Sequence, residues 1–127
     1  MRESAVTSHI KLAAAQNGCE LWRNNSGGFF DESGRFVRFG LGSFTPNQHC
    51  ASSDYIGIRP VLITPEMIGQ ILGVFLAVEM KAENWSYRPN DKHTADQQRF
   101  IDIVNRAGGF AGFARSVDDF KKIARLA

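Results

Sequence analysis

The stretch Val74-Phe75-Leu76-Ala77-Val78-Glu79-Met80-Lys81 decides the reading of this chain. Its consecutive apolar residues predict a strand over Gly73 to Ala82, buried on both faces as in the middle of an α/β sheet. The strand ends by presenting a carboxylate and an ammonium. Side chains alternate along a strand, so Glu79 and Lys81 project from one face and Val78 and Met80 from the other. Taking two charges to the end of an apolar strand costs several kcal/mol unless partners compensate them. A divalent cation on the glutamate and a polarised water or phosphate beside the lysine would do so. The plainer alternative is an exposed Glu79–Lys81 pair.

Upstream, Asp54 opens a second strand-like run, Asp54 to Arg59, or serves only as its turn residue. Arg2 to Gln16 reads as a helix stopped by Asn17-Gly18. Glu3, Val6, Ile10 and Ala14 share one stripe of it, with Glu3 at the edge of the apolar face. Cys19 to Arg23 is a predicted strand. Phe29-Phe30 and Phe36-Val37-Arg38-Phe39 flank a Ser33-Gly34 turn and predict a hairpin. Gly40 to Ser52 reads as a loop, and Thr64-Pro65-Glu66-Met67 opens a short helix.

Downstream of the key strand, Glu83 to His93 is a polar loop. Thr94 caps a helix to Ala107, with Phe100, Ile101, Val104 and Ala107 inward and Asp96, Arg99, Asp102 and Arg106 outward. After Gly108-Gly109, Phe110 to Arg115 is a last strand, and Ser116-Val117-Asp118-Asp119 caps a final helix. This order predicts an α/β sandwich, a central mixed sheet flanked by helices.

The 127 residues, 43% hydrophobic and 22% charged, suit one compact domain over residues 1–127. A net charge of +2 is too small to declare a nucleic-acid binder, but after Asn84 eight Lys/Arg face five acids. Cys19 and Cys50 have neither zinc spacing nor disulfide density. No apolar run resembles a secretory signal or approaches the ~20 residues of a membrane span. A reducing, intracellular setting without membrane contact is expected, in a bacterial or phage-infected cytoplasm.

Four motifs then carry a resemblance: Ser53-Asp54-Tyr55-Ile56-Gly57, Val78-Glu79-Met80-Lys81, Gln97-Gln98-Arg99-Phe100 and Ala107-Gly108-Gly109-Phe110-Ala111-Gly112. In this order, from Glu3 to about Phe120, the chain resembles the VRR-NUC (virus-type replication-repair nuclease) domain. That family is a branch of the PD-(D/E)xK nucleases with a restriction-endonuclease-like fold, found alone in phages and bacteria. Two features depart from its pattern. Ser53 stands where a proline often precedes the acid, and the gap from Asp54 to Glu79 is long, although a loop insertion costs little free energy.

The resemblance implies a metal-dependent DNA endonuclease, acting on Holliday junctions or other branched DNA as a homodimer. Asp54, Glu79 and the Met80 carbonyl would hold Mg²⁺ or Mn²⁺, which polarise water and neutralise phosphate. Lys81 would orient the water or stabilise charge. Glu3 is a further acid by resemblance and by its stripe, or a partner of the helix dipole. Gln97, on the stripe of Ile101 and Val104, is a candidate to anchor a water on the metal or Lys81, or is structural. Arg23, Arg35 and Arg38 around the Phe hairpin, with Lys92, are candidate DNA contacts. Trp22, Trp85 and Tyr87 either stack on bases or pack. The three histidines, His9, His49 and His93, lack metal-ligand spacing, and His93 is nearest the site. The Phe-rich hairpin is the expected dimer contact. Alternatives are a flap or nicking nuclease, or a catalytically silent DNA-binding protein on the same fold.

Overall fold

A computed structural model of the chain describes residues 2–126, apart from the side chains of Ser43, Phe44, His49, Cys50 and Ala51. The readings made of His49 and Cys50 therefore lie outside the described residues. Contacts divide the chain into two compact units, Met1–Gly57 and Ile58–Ala127. The architecture is mixed α/β, and among the described residues the strands pair two by two rather than in one central sheet.

The first unit opens with α1 (Glu3–Gln16), which ends as expected at Asn17, whose N–H bonds back to Ala13 and Ala14. The expected inner stripe is not buried: Val6 and Ile10 are both exposed. Strand β1 (Glu20–Arg23) pairs with β6 (Tyr55–Ile58). Gly57 permits this pairing, because a Cβ there would lie 1.9 Å from the Glu20 carbonyl oxygen. Between them, β2 (Gly27–Phe30) and β3 (Phe36–Phe39) form the predicted antiparallel hairpin, with Phe30 opposite Phe36. Its loop is closed by the Asp31 carboxylate, which accepts from the Ser33 and Arg35 N–H groups.

The segment read as a loop, Gly40 to Ser52, contains a second hairpin, β4 (Gly42–Thr45) and β5 (Gln48–Ala51). Thr45-Pro46-Asn47-Gln48 makes its turn: the Thr45 hydroxyl accepts from the Gln48 N–H and donates to the Gln48 carbonyl. Proline and asparagine are turn formers, but the short flanks carry too few apolar residues to register as strands.

In the second unit, residues 59–75 are largely irregular, and the expected short helix is a single 3₁₀ turn, Pro65–Met67. Then β7 (Leu76–Met80), α2 (Lys92–Arg106), β8 (Phe110–Ala114) and α3 (Val117–Ala124) follow. Strands β7 and β8 are parallel, with Glu79 opposite Phe113 and Met80 opposite Ala114. Such a pair needs a crossover, and α2 supplies it. Alternation puts Ala77, Glu79, Ala111 and Phe113 on one face and Val78, Met80, Gly112 and Ala114 on the other.

The second face meets α3, where a Cβ on Gly112 would press 2.9 Å from Ile123 and Arg125 covers the Phe110 ring at 4.3 Å. Helix α2 packs with Ile101 and Val104 buried. Phe100, expected inward, is half outside at 39% exposure. The Gly108-Gly109 turn lets α2 dock closely: Gly108 has φ 94°, and a Cβ on Gly109 would lie 2.7 Å from Val104. Asn105 then bonds both the N–H and the carbonyl of Ala111, closing the outer edge of β8 against a further strand. The predicted burial of β7 on both faces is not met: its three central residues are half-buried, and Leu76 and Met80 are exposed.

Val104 is fully buried. Val104→Ala should cost about 2 kcal/mol, the transfer of two methyl groups plus the residual cavity. The expected readout is a lower urea midpoint with an unchanged slope.

Candidate active site

Glu79 and Lys81 leave β7 on the α2 side. The Lys81 N–H donates to the Ala114 carbonyl at 2.8 Å, which extends the ladder one residue and fixes the lysine backbone. Its Nζ donates to Gln97 Oε1 at 2.8 Å. The same ammonium lies 5.3 Å from the Trp85 ring centre and 5.7 Å from that of Phe113, within cation–π reach. Trp85 is fixed in turn by Phe113, 4.9 Å between ring centres, and by Arg115, whose Nη1 donates to the Trp85 carbonyl. Tyr87 closes the cluster at 6.0 Å from Phe113.

Glu79 is half-buried, and its carboxylate has no ion-pair partner among the described residues. The two charges on one face of β7 therefore do not neutralise each other. Glu79 instead borders a cavity of about 450 Å³ with Ala77, Phe100 and Ile101 as apolar wall and His93, Asp96 and Gln97 as polar rim.

The first turn of α2 sets that rim. The cap is Asp91, not Thr94 as expected: its Oδ2 accepts from the Thr94 N–H at 3.0 Å and the Thr94 hydroxyl at 2.8 Å. Thr94 is buried, so its hydroxyl needs that acceptor and gives Asp91 the advantage as cap. The Thr94 hydroxyl first, then its N–H, hold the Asp91 carboxyl below its ordinary value of 3.8. One turn along, Gln97 Nε2 lies 3.2 Å from His93 Nε2.

Glu79, Met80, Lys81, Gln97 and Lys92 thus belong to the second unit, and Glu3, Arg23, Arg35, Arg38 and Asp54 to the first. The structure joins Lys81 to Gln97 directly. Asp54 is exposed at the start of β6, and its carbonyl accepts from the Asn24 N–H at 2.8 Å. Glu3 is exposed in the first turn of α1. Arg23 donates to Asn25, and Arg35 lies 3.9 Å from Asp31. Arg38 and Lys92 are exposed.

Among the described residues, no group of three or more His, Cys, Asp or Glu is gathered to hold a metal. In kind, the donors of the second unit still suit a hard cation: a carboxylate without an ion-pair partner and a strand-end carbonyl offer oxygen ligands, and Mg²⁺ keeps several waters beside one or two carboxylates. None of the family models, curated proteins or solved structures compared with the chain matches it.

Sequence reasoning named Gln97 and placed His93 nearest the site, but missed their contact and Phe113. His93 and Gln97 are four apart, helical spacing that places them on one face. Phe113 sits opposite Glu79 in register, which a βαβ alignment of the two apolar strands would have suggested.

Because the folded value of Asp91 lies below its unfolded one, its contribution is complete above the unfolded value and is lost as pH falls through the folded value. Asp91→Asn keeps an acceptor without the charge. Thermal melts should show wild type more stable than Asp91→Asn at neutral pH, with the gap closing in acid.

Proposed function

We propose that the protein is a divalent-metal-dependent endodeoxyribonuclease of the VRR-NUC type, on a restriction-endonuclease-like sandwich, cutting branched DNA as a homodimer. The observation that carries this reading is a half-buried Glu79 carboxylate without an ion-pair partner among the described residues, beside an ammonium tethered to Gln97. A structural ion pair would join the two charges. A hydrolytic site has reason to keep them apart, because the carboxylate is for a cation and the ammonium for a phosphate.

Glu79 and the Met80 carbonyl, with Asp54 as the second carboxylate that the resemblance assigns, would hold Mg²⁺ or Mn²⁺. Bound there, such an ion supplies Lewis acidity toward a phosphodiester. Lys81 has three N–H donors and no lone pair while charged. One donor goes to Gln97, leaving two for a water and a phosphate oxygen, so the lysine orients and stabilises rather than removing a proton. Glu3 is the further acid. Arg23, Arg35, Arg38 and Lys92 contact the DNA backbone, an attraction that weakens steeply with salt. Phe29, Phe30 and Phe39 present exposed rings on the β2–β3 hairpin. A two-fold contact there would cover them and pair two sites for two incisions.

Glu79→Ala, and likewise Asp54→Ala, should lower cleavage of four-way junctions by more than a hundredfold, beyond the roughly 10–100-fold typical of residues that only support a metal ligand. Lys81→Arg keeps the charge but replaces a compact ammonium by a planar fork. It should cut slowly while binding DNA nearly as well. The assay is a panel of duplex, flap, single-stranded and four-way substrates with Mg²⁺, Mn²⁺ or EDTA. Alanine variants that cut normally, or cleavage that survives EDTA, would overturn the metal-hydrolysis reading. Light scattering should report a dimer that loses mass on Phe30→Ser.

A further inference from the structure

We infer that His93 is a positioning residue for Lys81, acting through the side-chain amide of Gln97. The inference rests on reading Lys81 as part of the nuclease site. Its basis is a directional chain of hydrogen bonds. The Lys81 ammonium only donates, so the atom 2.8 Å from it must be the Gln97 oxygen. That choice turns the amide nitrogen, which only donates, toward His93 Nε2 at 3.2 Å. His93 Nε2 then accepts, which is the tautomer with the proton on Nδ1.

The amide is thereby held at both ends. Without the acceptor at position 93, Gln97 would be tied at Oε1 alone and would regain rotamer freedom, carrying the ammonium with it. The placement of His93 is itself built. It lies one helical turn before Gln97, in the turn that Asp91 pins through Thr94. Its ring is exposed and so is not required for packing. On the other side of the ammonium, the Trp85 and Phe113 rings limit the space but supply no hydrogen-bond direction. The direction comes from the Gln97 oxygen, and the orientation of Gln97 from His93.

Two substitutions separate acceptor chemistry from packing. His93→Gln keeps an oxygen acceptor at similar reach, and His93→Leu removes it. Nitrogen NMR of the Lys81 ammonium and the Gln97 side-chain amide reads the tether without any substrate. His93→Leu should shift both signals and speed the exchange of the ammonium protons, while His93→Gln should leave them near wild type. In the cleavage panel, His93→Leu should lower kcat about fivefold with little change in KM, the effect of one neutral hydrogen bond. His93→Gln should restore the rate. In the Gln97→Leu background, His93→Leu should add nothing, as expected of residues in one network.

Unchanged Lys81 and Gln97 signals in His93→Leu would overturn the inference, as would additive effects of the two leucine variants. A wild-type chain that shows the tether by NMR yet cuts no DNA would overturn the nuclease reading and leave the tether standing.

Discussion

The second unit depends on the parallel pairing of β7 with β8. Parallel strands cannot be joined by a tight turn, so the chain must travel back along one face, and α2 is that return path. The register then does three things at once. It sets Phe113 opposite Glu79, it carries the Lys81 N–H to the Ala114 carbonyl, and it lays the first turns of α2 over the end of β7. The lysine meets Gln97, 16 residues on, and Phe113 because one crossover brings those segments back to the end of β7, where Trp85 already lies. The Gly108-Gly109 turn lets the helix come close enough for Gln97 to reach the ammonium.

Around that frame the electrostatics are asymmetric. Lys81 is compensated by a neutral amide and two ring faces, and none of these removes its charge. An amide oxygen and a quadrupole stabilise a cation without offering it a counter-ion, so the field of the ammonium stays directed at whatever enters from outside. Glu79 has the opposite condition, partial burial without a neutralising group among the described residues. Each charge alone has an ordinary structural explanation. Together they put a carboxylate and an ammonium on one strand face with no ion pair between them.

Much of this was legible in the sequence, and the parts that were not share a cause. Alternation along Val74–Lys81 gave the common face of Glu79 and Lys81, and the helical stripe with Ile101 and Val104 gave the inward placement of Gln97. Asn17-Gly18, Ser33-Gly34 and Gly108-Gly109 marked the ends of α1, β2 and α2, because glycine relieves a backbone constraint that no neighbour can remove. The errors arose where burial and backbone pairing outweighed residue preference and periodicity. Thr94 has a good capping side chain, yet its burial makes its hydroxyl a donor in need of an acceptor, and Asp91 takes the cap. Strands β4 and β5 are stabilised by pairing across Pro46-Asn47 rather than by apolar patterning, so periodicity missed them. Burial along β7 was overestimated because a run of apolar residues does not reveal how much of the fold covers them.

The same reasoning ranks the precision of the candidate groups. Lys81 is held by a ladder bond at its backbone, a helix-borne acceptor at its tip and the rings of Phe113 on β8 and Trp85 in the loop after β7. The Asp54 backbone is also fixed, since its carbonyl is held by Asn24, which also donates to Ser52 and Ser53, and Gly57 admits the close approach of β1. The carboxylates themselves are not tied: Glu79 has no ion-pair partner among the described residues, and Asp54 is exposed. Fixed backbone beneath an untied carboxylate suits an oxygen ligand, which must turn to meet a cation while its Cα stays in place. A tightly hydrogen-bonded carboxylate would first have to break those bonds. Hydrogen bonds thus hold the lysine tip and the two strand backbones, and among the described residues none is made by the Glu79 or Asp54 carboxylate.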